Sequence, residues 1–400
     1  LRELIEDTKD AVGDRCGVVV RLAVDQLLGP MGITSQNEGS DAIAMLAELP
    51  DLWDVNIADW ANDSQTARFS QEGYQEQYIA HVKKLTSKPV VGVGRYTSPD
   101  AMVSVIKRGV MDLIGAARPS IADPFLPSKI EQGRLDEIRE CIGCNICVTG
   151  DNLCVPIRCT QNPTMGEEWR RGWHPERIAK AASQDTVLVV GAGPAGLELA
   201  RALGQRGYEV ALADANKKAG GRLLNDASLP GLSTWMRVAD YRLQQLQKMA
   251  NVNLYLDSEL SADEVLAFGF ARVFLATGST WRRDGLGRQH HVPLLDASLP
   301  NVFTPDDVFA DVPLPSPVLI YDDDHYYMAG ALAERLRKQG LEVHLVTPSV
   351  KVSEFTEMTM EQHRIQSGLL KLGVQIQTNT ALAGASAIQG GLSVELAHTY

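Results

Sequence analysis

Cys141-Ile-Gly-Cys144-Asn-Ile-Cys147 places three thiols within seven residues, and Cys154 and Cys159 follow closely. Thiolates at this spacing can wrap one face of an iron–sulfur cubane, with a fourth ligand arriving from downstream. Zinc favours two separated pairs of ligands, so the pattern fits zinc less well. Disulfides make poor use of cysteines three apart, and no secretory signal precedes them. Spacing leaves Cys154 and Cys159 both open as the fourth ligand. Cys16, the remaining cysteine, reads as a small core residue. A [4Fe–4S] cluster carries one electron at a time, which implies a two-electron flavin or nicotinamide donor.

A second pattern points to a nucleotide. Val187–Val190 is a short apolar run, followed by Gly191-Ala-Gly193-Pro-Ala-Gly196 and a segment with Leu199, Ala200 and Leu203 on one helical face. The first glycine permits the tight turn, the second lets backbone approach a pyrophosphate, and the third lets helix pack on strand. The helix N-terminus then faces phosphate. Asp214 ends the next strand, where an acid binds the hydroxyls of an unphosphorylated ribose. These residues are expected to hold the ADP part of a dinucleotide such as FAD. Ala276-Thr277-Gly278, after another strand, resembles the second signature of two-dinucleotide flavoproteins. A third βαβ pattern begins at Pro317, but its turn reads Tyr321-Asp-Asp-Asp-His325. Carboxylates stand there in place of glycines and would repel a dinucleotide, so the nicotinamide site is expected to be lost.

These motifs need elements to carry them. In the first third, apolar runs (Gly17–Asp25, Trp53–Asp59, Pro89–Arg95, Met111–Arg118) alternate with amphipathic segments (Asp41–Leu49, Ser70–Leu85, Pro99–Lys107). Tyr74, Tyr78, Val82 and Leu85 recur at helical spacing. Strands alternating with helices predict a parallel sheet, here half of a (β/α)8 barrel or a small doubly wound sheet. Arg21, Asp25, Asp59, Arg95 and Arg118 lie at the C-terminal ends of the runs, the face that carries a TIM-barrel active site. Strands are predicted at Thr186–Val190, Glu209–Ala213, Ala271–Ala276, Pro317–Tyr321 and Glu342–Val346, with a helix over Met328–Gln339. Val350–Tyr400 carries no recognised motif.

Composition sets the outer bounds. The chain has 400 residues, 44% hydrophobic and 22% charged, which excludes wholesale disorder. At roughly 150 residues per domain it holds two or three domains. A net charge of −12 argues against a nucleic-acid partner. There is no apolar run long enough to span a membrane. The chain starts Leu1-Arg2-Glu3 without Met and is read as a fragment.

Together these residues resemble the trimethylamine dehydrogenase family, which includes the dimethylamine and histamine dehydrogenases. The likeness is carried by WDVNIAD…WANDS (Trp53–Ser64), GVGRYTSP (Gly92–Pro99), ARPSIADPFLP (Ala117–Pro127), CIGCNIC (Cys141–Cys147), CTQNPTMGEEWRRGWHPE (Cys159–Glu176) and GAGPAG (Gly191–Gly196). More distantly, the chain is similar to NADPH-dependent 2,4-dienoyl-CoA reductases. The resemblance implies an α/β chain in three parts. The C-terminal half of an FMN-binding TIM barrel spans 1–130, and an iron–sulfur segment spans 131–183. A Rossmann-like ADP or FAD domain (184–312) and a degenerate NAD-type domain (313–400) then follow, nested. By that likeness the chain begins before barrel strand five, and the other half holds the flavin-tethering cysteine and the active-site Tyr and His.

The same resemblance implies roles. Arg21 matches the arginine at the flavin pyrimidine edge. Gly94, Arg95, Ala117 and Arg118 match the FMN phosphate site. Trp60 matches the aromatic wall over the substrate, and Asp63 the acid that partners the active-site His. Cys141, Cys144, Cys147 and Cys159 match the cluster ligands. Trimethylamine dehydrogenase has a tryptophan where this chain has Asp151. A carboxylate suits an ammonium or imidazole that donates hydrogen bonds, as in histamine dehydrogenases. The implied activity is oxidation of a small amine, with electrons leaving singly to a soluble protein acceptor, in a cytoplasmic homodimer. The alternatives are an NADPH-dependent enoate reductase and a non-catalytic electron carrier.

Overall fold

The computed structural model describes every residue except Pro175, and Trp169 through its backbone alone. Pro175 belongs to the GWHPE end of the Cys159–Glu176 segment and lies outside the described residues. Two compact units emerge. One comprises Leu1–Cys147 with Pro156–Gly166, the other Val148–Val155 with Glu167–Tyr400.

In the first unit, β1 (Val19–Asp25), β2 (Leu52–Ile57), β3 (Val90–Gly92) and β4 (Leu113–Ile114) form a parallel sheet in chain order. Neighbouring strands that follow one another this way are what a barrel wall requires. The register sets Arg21 beside Asp54 and Val55 beside Gly92. Val24, Ile43, Trp53, Val55, Val82, Val90 and Val105 fill the core between sheet and helices. Trp53 is fully buried, so its indole N–H donates to the Ala47 carbonyl at 3.0 Å. Helix Pro99–Lys107 starts as expected, with Ser98 as its cap and Pro99 in the first turn.

Three expectations change. Cys16, read as a core residue, is exposed, because it lies in the turn ahead of β1 rather than on the strand. Ser70–Leu85 is not one helix but a turn, a short helix Glu76–Ile79 and a 3-10 turn Val82–Lys84. Gly73 breaks it: its φ is +78° and its N–H donates to the Gly94 carbonyl at 2.8 Å. The predicted apolar face survives the break, since Tyr78, Val82 and Leu85 still pack on the core. The run Met111–Arg118 is a strand only at Leu113–Ile114, and Ala117 and Arg118 open a helix, Ala117–Ala122.

After that helix the chain is anchored by a buried carboxylate. Asp123 is wholly buried, and Oδ2 accepts Lys129 Nζ at 2.8 Å and the Arg139 N–H at 2.9 Å. Oδ1 accepts the Phe125 N–H at 3.1 Å. Lys129, equally buried, also donates to the Glu137 carbonyl at 2.8 Å. This hub sets the path of the chain two residues before Cys141.

The second unit contains two parallel sheets. β5 (Thr186–Val190), β6 (Glu209–Ala213), β7 (Val252–Tyr255) and β8 (Arg272–Leu275) pair in the order β7-β6-β5-β8. Helix Pro194–Arg206 connects β5 to β6. β9 (Val318–Tyr321), β10 (Val343–Val346) and β11 (Gln375–Gln377) pair as β11-β10-β9, with helix Met328–Lys338 after β9. The motif-free tail is structured too. Helix Gln362–Lys371 precedes β11, and β12 (Thr380–Ile388) and β13 (Gly391–His398) form an antiparallel hairpin. Its turn, Gln389-Gly390, uses a glycine at φ +81°. Among the described residues no helix is long and apolar enough to cross a membrane.

Asp123→Ala is expected to destabilise the first unit by about 3–5 kcal/mol, because it strands the buried Lys129 ammonium. Denaturant unfolding checks this, and a loss under ~1 kcal/mol would show that the pair is replaceable.

Candidate active site and cysteine centre

A cleft of about 410 Å³ opens at the C-terminal ends of β1 and β2, lined by Arg21, Ala23, Asn56, Ile57, Ala58, Asp59, Trp60 and Asp63. Asp59 makes it possible. Its Oδ1 accepts the Asn62 N–H at 3.0 Å, capping the short helix Trp60–Asp63 that turns the chain at the strand end. Trp60 is exposed there. Arg21 is held between two carboxylates: Nη2 donates to Asp63 Oδ2 at 2.9 Å and Nη1 to Asp54 Oδ2 at 3.3 Å. Gln75, fully buried, donates from Nε2 to Asp63 Oδ1 at 2.9 Å, and the Tyr74 hydroxyl donates to the Asn62 carbonyl at 2.8 Å. Burial pushes the Asp54 carboxyl up; Arg21 opposes this and Asp63 adds to it. The cleft therefore gathers one guanidinium, two carboxylates and an indole face.

Sequence reasoning found Arg21, Trp60 and Asp63, and the structure brings them together. It missed Asp54 and Gln75. Asp54 carried a signal, a charge inside the apolar run WDVNI; Gln75 carried none. Asp25 is a structural residue, with its carboxylate accepting the N–H groups of Leu27 (2.7 Å) and Ser35 (2.9 Å). Asp151 is exposed on helix Ile146–Asn152, in the second unit.

Gly94 and Arg95 follow β3, and Ala117 and Arg118 follow β4. Those strands are neighbours, and the Gly115 N–H donates to the Gly92 carbonyl at 2.9 Å. Arg95 takes a left-handed conformation, φ +62°. Arg118 Nη1 donates to the Gln65 carbonyl (2.8 Å) and to Asn145 Oδ1 (2.5 Å).

Cys141, Cys144, Cys147 and Cys159 all belong to the first unit, whereas Cys154 is exposed and belongs to the second. Burial pushes the Cys144 thiol up to about 12, against a contact from Thr160, with Cys141 and Cys159 adding to the rise. The Cys159 thiol is pushed up to about 11 by burial, with Cys141 and Cys147 contributing. Cys144 and Cys159 thus sit among the other thiols and resist ionisation unless cations join them. The sulfurs also receive backbone N–H groups, Gly143 on Cys141 at 3.3 Å, Ile146 on Cys144, and Gln161 and Asn162 on Cys159. Among the described residues no three His, Cys, Asp or Glu side chains converge tightly enough for a single metal ion. A cubane takes one thiolate at each of four irons and spreads them wider.

In the second unit the glycine turn is forced by sterics. Gly191 has φ +107°, and a Cβ there would lie 2.3 Å from the Ala276 carbonyl oxygen. A Cβ on Gly196 would lie 1.8 Å from the Gly191 carbonyl oxygen. Gly193 differs: the nearest atom to an added Cβ is Gly221 Cα at 3.9 Å, so the chain itself does not demand glycine there. Asp214 Oδ2 accepts the Ala192 N–H at 2.6 Å, and Oδ1 accepts Asn216 N–H at 2.8 Å. Gly220 and Gly221, which sequence reasoning missed, fold against this turn with φ +129° and +55°. The signal was the adjacent glycine pair before Arg222.

The aspartates after β9 are consumed within the fold. Asp322 accepts the His325 N–H at 2.9 Å, and burial pushes its carboxyl up. Asp323 accepts the N–H groups of Arg288 (2.6 Å) and Gln289 (3.0 Å) and leaves no room for a Cβ on Gly287.

Residues 1–137 match the NADH:flavin oxidoreductase / NADH oxidase family, residues 189–257 an NAD(P)-binding Rossmann-like domain, and residues 303–397 the OYE-like second alpha/beta domain. Dimethylamine dehydrogenase of Hyphomicrobium sp. (strain x) is 42% identical over 97% of the chain and 54% of its own length. This chain belongs to the flavin oxidoreductase family that contains that amine dehydrogenase. Two solved members resemble it over its whole length. Histamine dehydrogenase from Rhizobium sp. 4-9 has a TM-score of 0.93 and 51% identity, with 58% of that chain covered. The 6-hydroxypseudooxynicotine amine oxidase from Pseudomonas geniculata N1 has a TM-score of 0.95 and 50% identity, with 59% covered. The chain spans about half the length of the curated family members it matches. Family membership accounts for the parallel α/β architecture and for a flavin as the cofactor of the barrel.

The glycines give a paired prediction. Gly196→Ala is expected to cost about 3 kcal/mol or more, since its methyl would overlap backbone. Gly193→Ala is expected to stay within about 1 kcal/mol of wild type by thermal unfolding, yet to lose any nucleotide released on denaturation. Equal effects on both quantities would remove the distinction.

Proposed function

We propose that the whole protein is an amine dehydrogenase that oxidises a small amine, with histamine-like and methylated amines as the substrate classes. The observation that carries this reading is the cleft itself. Trp60 presents an indole in a cleft that Asp59 and Asp63 also line, and their two carboxylates outnumber the single Arg21 guanidinium. Aromatic faces and excess negative charge both favour a cationic ammonium. Asp151 is assigned as an acceptor for a substrate that donates hydrogen bonds.

The residues for the cofactors follow. Gly94, Arg95, Ala117 and Arg118 are assigned to the phosphate of FMN, and Arg21 to its pyrimidine edge. Cys141, Cys144, Cys147 and Cys159 are assigned to a [4Fe–4S] cluster, which their burial together and their N–H donors support. Gly191, Gly193, Gly196 and Asp214 are assigned to ADP, free or within FAD. When bound, a flavin held by these residues would supply an acceptor for a hydride equivalent from the carbon next to the amine nitrogen, and a cluster on the four cysteines would supply one-electron transfer. Water then converts the oxidised amine to a carbonyl compound and ammonia or a smaller amine. The chain's own residues order the cleft: Gln75 fixes Asp63, and Asp63 and Asp54 fix Arg21. A soluble electron-transfer protein is the proposed acceptor, and the enzyme a cytoplasmic homodimer. Asp323, seated on the amides of Arg288 and Gln289, supports the loss of a nicotinamide donor.

Anaerobic titration of the full-length protein with histamine, dimethylamine, trimethylamine and NADPH tests the reading. An amine is expected to bleach the flavin. Bleaching by NADPH alone would establish a reductase instead, and no response to any of them an electron carrier. Asp151→Trp is expected to weaken histamine turnover, and unchanged kinetics would remove Asp151 from the site.

Replacing the candidate fourth ligand distinguishes the two open cysteines. Cys159→Ser is expected to lose most bound iron and the cluster absorbance, while Cys154→Ser retains both. The opposite result would reassign the ligand.

A further inference from the structure

The loop that carries the cysteines also grips the wall of the cleft. Asn145, between Cys144 and Cys147, is buried and held in the left-handed region at φ +55°. Its Nδ2 donates to the Ser64 carbonyl at 2.6 Å, and its Oδ1 accepts Arg118 Nη1 at 2.5 Å. The same Arg118 nitrogen donates to the Gln65 carbonyl at 2.8 Å. Two residues before Asn145, the Gly143 carbonyl accepts the Ala67 N–H at 2.9 Å. Gly143 has φ +62°, and a Cβ there would lie 2.9 Å from Ala67 N, so the two segments touch at backbone level. Residues 64–67 follow directly on helix Trp60–Asp63. That stretch is thus held at Asp63 by Gln75 and at positions 64, 65 and 67 by the cysteine loop, directly or through Arg118.

We propose that Asn145 is a positioning residue which transmits the conformation of the cysteine loop to Trp60 and Asp63, so that filling the cysteine site orders the cleft. The inference rests on the cluster and cleft assignments of the preceding subsection. Metal–ligand bonds would add to the burial of Ile142 and Val148 in fixing this loop. Once the loop is fixed, the side chain of Asn145 is fixed, and with it the carbonyl of the residue next to Asp63. Amide groups inside a protein have few alternative partners, so these bonds are kept. The cysteine centre would then have a second task beside electron transfer, as an organiser of substrate binding.

Hydrogen exchange on the full-length holoprotein tests this. Asn145→Gly keeps the backbone conformation accessible and removes both side-chain bonds. Bound iron is expected to be unchanged, while amides across 60–67 exchange about tenfold faster and those elsewhere in the barrel do not. The amine Kd is expected to rise about tenfold, with flavin reduction at saturating amine little altered. Stripping the cluster from wild type with a chelator is expected to speed exchange in the same segment. If Asn145→Gly loses iron, Asn145→Asp gives the same test, because it keeps the acceptor for Arg118 and lacks the donor to Ser64. Unchanged exchange across 60–67 in an iron-replete variant overturns the proposal, as does uniform acceleration across the barrel. The exchange measurement does not depend on the substrate. Faster exchange in a protein whose flavin no amine reduces would uphold Asn145 and overturn only the amine reading.

Discussion

A carboxylate removed from water needs every oxygen satisfied, and Asp123 meets that demand with groups that organise the first unit. Its partners are a buried lysine, the Phe125 amide and the Arg139 amide. The first two close the turn after helix Ala117–Ala122. The third draws in the chain just before Cys141. The ion pair adds little net stability once desolvation is counted, but it leaves the chain few alternative paths. The cysteine loop therefore arrives in one place, beside the loops that leave β2, β3 and β4.

The cleft follows from the same economy of polar groups. Arg21 emerges from a parallel strand whose register partner is Asp54, so the charge is paired before any ligand enters. Asp63 reaches the same guanidinium from a helix that exists because Asp59 caps it. Burial raises the Asp54 carboxyl while Arg21 pulls it the other way, which leaves that group sensitive to whatever charge enters the cleft.

In the second unit backbone contact plays the part that charge plays in the first. Gly191 and Gly196 are required by their own chain, whereas Gly193 leaves open space. After β9, where carboxylates stand in place of glycines, Asp322 accepts the amide of His325 in its own turn and Asp323 accepts the amides of Arg288 and Gln289. The parallel strand–helix–strand arrangement is kept there, and the His325 amide is taken up by Asp322.

Much of this was legible in the amino-acid order. Local periodicity and steric rules set β5, β6, β8, β9 and β10 to within a residue or two but did not find β7 (Val252–Tyr255), and the glycine spacing located the tight turn after β5. Trp60, Asp63 and Arg21 were named through a family likeness carried by short segments. Gly73 and the helix at Ala117 broke elements that periodicity alone would have continued; at Gly73 the amide bonds instead to the Gly94 carbonyl in the loop after β3. The hairpin Thr380–His398 was hidden because its strands carry many small and polar residues, with Gln389-Gly390 as their sole turn signal. What only tertiary structure decided are the pairings between residues far apart in the chain: Asp54 with Arg21, Gln75 with Asp63, Asn145 with Ser64 and Arg118. Residue type and spacing state what a side chain can do. Which polar group it meets depends on how distant segments share a buried volume, where each donor and acceptor must find a partner.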